Sequence, residues 1–128
     1  MPPRTTHTYL KTHQLSGRLL QFSLRTEDAR LRAQAADARA GRAAKTLVKE
    51  GEIRVTLVAL RKGTVLQTHQ VGGATTIQVH RGRVRLSLED GSVNLGSGEV
   101  VAIAAGVPHS AEALSDCGLL ITATAPEA

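Results

Sequence analysis

The chain has 128 residues, 41% hydrophobic and only 2% aromatic. That is enough for one compact domain with a core of Val, Leu, Ile and Ala, and it lacks the aromatic platforms on which single-strand nucleic-acid modules stack bases. The net charge of +5 divides into +8 over residues 1–62 (13 basic, 5 acidic) and −3 over residues 63–128 (3 basic, 6 acidic). Its arginines are spread rather than blocked, so they read as solvated faces and nucleic-acid binding is not expected. The single Cys117 excludes an intrachain disulfide and a cysteine-based zinc site. No run of about 18 apolar residues could span a membrane. The polar start, Met1 to His7, has no signal-peptide pattern, so a cytoplasmic protein is expected.

Residues 1–17 read as a loose lead-in. Leu20, Phe22 and Leu24 then alternate with Leu19, Gln21 and Ser23, predicting a short strand. Thr26 is suited to cap a helix over residues 27–40, where Ala and Arg dominate and Gly41 supplies a stop. The apolar stripe of this helix is thin (Leu31, Ala35, Ala38), so it is expected to lie on a surface and bury little. From Ala43 onward short strand patterns follow one another. They are 46–48, 53–60, 64–66, 75–80, the alternating Val84, Leu86 and Leu88, then Val93 and Leu95, 100–104 and 119–123. Turn signals at Lys62-Gly63, Gly72-Gly73, Arg81-Gly82, Asp90-Gly91, 96–98 and 106–108 separate them. Several short strands at close spacing predict a sandwich or barrel.

Two spaced sets of residues stand out. In the first, Gly63 is followed by five residues and His69, then by Val71, Thr75 and Gly82. In the second, Gly98 is followed by five residues and Ala104, then by Gly106, His109 and Ala113. Together they resemble the two motifs of the cupin superfamily. The first family motif runs Gly, five residues, His-x-His, three or four residues, Glu, six residues, Gly. The second runs Gly, five residues, Pro-x-Gly, two residues, His, three residues, Asn. The resemblance covers residues 43–124. It implies an all-β, RmlC-like jelly-roll barrel, with residues 1–42 as an N-terminal extension carrying the strand and the short helix.

In metal-binding cupins two His and the Glu of the first motif and the His of the second hold one ion. Here only His69 and His109 remain. Val71 cannot ligate, and Thr75 is a poor neutral ligand. His80 has the wrong parity: if Thr75, Ile77 and Val79 point inward, it points out. Glu112 lies past the inward reach of its segment. The expected site is therefore a barrel mouth that binds a small polar molecule. His69, Thr75 and His109 would supply hydrogen bonds, and Val71 and Ile77 the apolar wall. No cofactor is expected. The alternative is a divalent transition metal on His69 and His109 in an enzyme of dioxygenase or isomerase type. A homodimer is also expected, with residues 19–24 pairing across subunits.

Other chemistry is sparse. Ser110 and His109 are adjacent and do not form a triad. Glu27-Asp28 and Glu89-Asp90 read as solvated or capping groups. Cys117 reads as a turn residue whose pKa the adjacent Asp116 would raise.

Overall fold

A computed structural model describes residues 15–66 and 72–124. Helix α1 (Leu24–Asp37) comes first. It is followed by β1 (Arg42–Glu50), β2 (Ile53–Leu60), β3 (Val65–Leu66), β4 (Thr75–Arg81), β5 (Arg83–Leu88), β6 (Gly91–Gly96), β7 (Val100–Ile103), β8 (Ser110–Ala113) and β9 (Cys117–Thr124). The strands form two antiparallel sheets, ordered β1-β2-β9-β4-β7 and β3-β8-β5-β6.

Alternation fills the space between the sheets. Val58 and Leu60 of β2, Ile77 and Val79 of β4, Val84 and Leu86 of β5 and Leu119 of β9 are all buried in one cluster. Their sequence neighbours face the other way, as the period of two requires. For β2 and β9 that other face is also covered. Leu57, Ala59 and Leu120 meet Leu31 and Ala35 of α1 in a second cluster, with Leu47 of β1. This is why β2 ends in four consecutive buried residues, Leu57 to Leu60. Full burial of each such leucine stabilises the fold by about 1.5–3 kcal/mol.

The helix differs from the sequence expectation. It starts at Leu24, and its cap is Ser23 rather than Thr26: Ser23 Oγ accepts the Thr26 backbone N–H at 3.3 Å. The chain over residues 15–23 is not a strand. Phe22 and Leu24 pack against the outer cluster while Leu19 stays 75% exposed, so the alternation has no sheet to serve. The strand-exchange idea built on residues 19–24 loses its strand. At the other end the helix stops at Asp37. The Arg61 guanidinium donates to the carbonyls of Ala35 and Ala38 at 3.2 and 3.0 Å and so satisfies the last turn.

Two further corrections concern polar residues. Glu27 and Asp28 are buried, not solvated. The helix stripe is Leu24, Asp28, Leu31 and Ala35, with Glu27 beside it, so its first core-facing turn is acidic. Cys117 is not in a turn. It opens β9 and is fully buried in the barrel core. Strand β8, absent from the sequence reading, is short and rich in small and polar residues, which hid its pattern.

Candidate functional site

Strand β4 begins at Thr75, whose Cα partners are Ile103 on β7 and Ala123 on β9. Thr75, Ile77 and Val79 are buried and alternate with exposed Thr76 and Gln78. Ile77 and Val79 belong to the core between the sheets, so Thr75 shares their inward face. It is 4% exposed, and its Oγ1 has no hydrogen-bond partner among the described residues. A buried hydroxyl left unpaired costs about 1–3 kcal/mol. Such a group in a small barrel calls for a reason.

His109 lies at the same end. Strand β7 runs from Val100, opposite Gln78, to Ile103, opposite Thr75. The chain therefore leaves β7 beside Thr75, turns through Gly106 (φ 78°), and reaches His109 six residues after Ile103. His109 is half-buried, and its Nδ1 is 3.0 Å from the Val107 carbonyl oxygen. That oxygen only accepts, so Nδ1 carries the hydrogen and donates. In the neutral ring Nε2 is then left with a lone pair for another partner.

The sequence-predicted site thus divides. Thr75 and His109 come to one end of the barrel. Ile77 lies one inward position further along β4, 3% exposed, within the core wall. His69 and Val71 lie outside the described residues. Glu112 points away to Arg85, 3.3 Å distant, on an exposed face. His80 points outward, where it meets the helix rather than the barrel interior.

That outer face holds a polar cluster that sequence reasoning missed. Asp28, 6% exposed, accepts from Arg81 Nε at 2.7 Å and from its Nη2 at 3.2 Å. His80 Nε2 is 3.5 Å from the same carboxylate. The hydrogen bond to Asp28 is the main cause raising the Arg81 pKa, against burial that would lower it. Nearby, Lys45 Nζ donates to Glu27 Oε1 at 2.9 Å. Gly118 makes room for Asp28: a Cβ there would sit 2.5 Å from its Oδ1. The missed signal was spacing. Asp28 is four residues after Leu24 and three before Leu31, which puts it in the buried stripe despite its charge.

No protein-family model and no curated protein sequence matches the chain. Solved structures do. A cupin superfamily protein from Desulfitobacterium hafniense superposes with a TM-score of 0.66 at 16% identity, over 72% of this chain and 87% of that one. An RmlC-like cupin from Shewanella frigidimarina gives 0.64 at 18% identity, over 71% and 82%. This chain has the cupin fold. A salicylate 1,2-dioxygenase from Pseudaminobacter salicylatoxidans superposes at 0.68 with 20% identity, over 77% of this chain but 33% of that enzyme.

The four motif glycines sit where the backbone is left-handed, as do Gly41, Gly51 and Gly91 outside the motifs. Gly63, Gly82, Gly98 and Gly106 all adopt positive φ, between 78° and 89°. At Gly82 a side chain would also collide with the Asp116 carbonyl. The motif's metal-holding set does not fit an ion in the same way. Where metal-binding cupins carry the second His and the Glu, this chain has Val71, without a donor, and Thr75, a buried neutral hydroxyl. Among the described residues no three His, Cys, Asp or Glu side chains come together in a group that could hold a metal. Two imidazoles alone rarely hold a divalent ion firmly.

Proposed function

We propose that this cupin-fold chain binds a small polar molecule at the barrel end that carries Thr75 and His109. The unpartnered hydroxyl of Thr75 carries the reading. A ligand that donates to or accepts from Oγ1 would remove the cost of leaving that hydroxyl unpaired. The His109 ring supports it, because the Val107 carbonyl fixes its tautomer and leaves Nε2 as an acceptor for a donor group on the ligand. Ile77 and the neighbouring core supply the apolar side of the pocket, with His69 and Val71 as further proposed contacts.

The test is a calorimetric titration of the full chain with sugars, organic acids and amino-acid derivatives. At least one class should bind, and Thr75→Val and His109→Ala should each weaken it by about tenfold or more. A panel without heat, or binding indifferent to both changes, would overturn the reading. A homodimer in the cytoplasm remains part of the proposal. Val93 on edge strand β6 and Val100 on edge strand β7, 50% and 58% exposed, support a covered sheet edge. Light scattering that gives the monomer mass at micromolar concentration would remove the dimer.

A further inference from the structure

We infer that the cleft between α1 and the turns following β4 and β6 is a second binding site, for a small phosphate- or carboxylate-bearing oxyanion with two or more negative charges. The cleft holds a cavity of about 380 Å³ lined by Arg25, Asp28, Arg32, His80, Arg81 and Ser97. A smaller cavity of about 140 Å³ shares Arg32 and Arg81 with it and adds Arg61 and Asp116. Four arginines and two aspartates thus line the two cavities.

The local partners do not balance this charge. Asp28 gives both oxygens to Arg81. Asp116 Oδ1 accepts the Lys62 backbone N–H at 2.8 Å. Arg61 is held on helix-end carbonyls, which leave its full charge in place. Among the described residues, no carboxylate lies within ion-pair distance of Arg25 or Arg32. These two are seven residues apart on one helix, hence two turns apart on the same face with about 10 Å of rise between them. They bracket the cleft.

The site is also pre-organised. The two-pronged bond from Asp28 fixes the plane and direction of Arg81. Asp28 is here a positioning residue. Guanidinium forks suit phosphate and carboxylate oxygens alike. The cavity size is that of a metabolite. The cleft lies on the outer face of the five-stranded sheet, so it is separate from the barrel end at Thr75.

Calorimetry on the full chain at low ionic strength, with pyrophosphate and citrate as probes, tests the site. At least one probe should bind with a Kd of about 1 mM or tighter. Preference for pyrophosphate assigns the oxyanion as phosphate, and preference for citrate as carboxylate. Arg32→Gln should weaken binding about tenfold, the scale of one charge-assisted hydrogen bond. Thr75→Val should leave it unchanged, and so should Arg54→Gln on the exposed start of β2. Urea unfolding of Arg32→Gln at the wild-type midpoint would show that the loss is not misfolding. No heat with either probe overturns the proposal. So does equal weakening by Arg54→Gln, which would mean diffuse attraction to a basic surface. Loss in Thr75→Val would move the ligand into the barrel and overturn it as well.

Discussion

Replacing Thr75 by Val should make this protein more stable and less able to bind. Valine keeps the β-branched shape that suits a strand, so the backbone of β4 need not move. What changes is one buried oxygen, which has no hydrogen-bond partner to lose among the described residues. Desolvating an unpaired hydroxyl costs about 1–3 kcal/mol, and a methyl in its place gains up to about 0.8 kcal/mol of burial. The unfolded state, where both side chains are solvated, absorbs part of this. A net stabilisation of about 1–2 kcal/mol is expected. For a chain of 128 residues the unfolding entropy scales to about 0.27 kcal/mol/K, so the midpoint of thermal unfolding should rise by roughly 4–7 °C. Equilibrium urea unfolding is the better assay: the midpoint concentration should rise with the slope unchanged. Destabilisation by 1 kcal/mol or more would mean that the hydroxyl is bonded in the native protein. Thr75 would then hold no unpaired group, and ligand binding at the barrel end would lose its main support.

Asp28→Asn should destabilise the chain by about 2–3 kcal/mol, because it leaves Arg81, 22% exposed, without its charge partner while letting it reach some water; a loss under about 0.5 kcal/mol in urea unfolding would show that the pair is idle. Replacing both members, as Asp28→Leu with Arg81→Met, should recover most of that loss, as buried ion pairs often do when exchanged for apolar side chains. Burial, the largest cause, pushes the Cys117 thiol up from the ordinary 9.0 to about 11. Because the folded value lies above the unfolded one, this group's contribution to stability is complete below pH 9 and is lost as pH rises through about 11. Iodoacetamide at pH 8 should therefore label Cys117 only at the rate of unfolding, and fast labelling of folded protein would contradict the burial. Metal analysis by plasma mass spectrometry, after incubation with iron, manganese, nickel, copper or zinc and dialysis, should give far less than one ion per chain. A stoichiometric ion surviving dialysis would mean a ligand set completed by donors beyond Thr75 and Val71.

The barrel was legible in the sequence because its signals are local and periodic. Val84 and Leu86 alternate with Arg83 and Arg85, and the structure buries the first pair and exposes the second. Strand β2 appears at the bounds its hydrophobic run predicts, Ile53–Leu60. The motif glycines could be placed because a left-handed turn restricts residue choice so strongly. The acidic face of the helix is hidden in the sequence for the opposite reason. Its buried face begins with two acids, whose partners are distant in sequence and which carry no apolar signal. Lys45 is 18 residues from Glu27, and Arg81 is 53 from Asp28. Nothing local announces such pairs. Strand β8 was missed because Ser110, Ala111, Glu112 and Ala113 carry too little apolar contrast, although Ala111 and Ala113 alternate inward as a strand requires.

One irregularity connects the two faces of the barrel. Along β4 and β9, Val79 pairs with Leu119 and Arg81 with Gly118, so His80 is an extra residue without its own partner. Strict alternation would turn Arg81 inward behind Val79, carrying a guanidinium into a core of Val, Leu and Ile. The bulge resets the parity, and His80 and Arg81 both reach the helix side. Gly118, opposite the bulge, leaves space for the Asp28 carboxylate against the sheet. The helix is thus anchored by a charge that the barrel could not have presented without the inserted residue. The inward series from Thr75 to Val79 stays undisturbed upstream of it. A single sheet can then keep an uncharged interior at Thr75 and a charged, helix-covered exterior at Arg81, which lets the two proposed sites be altered independently.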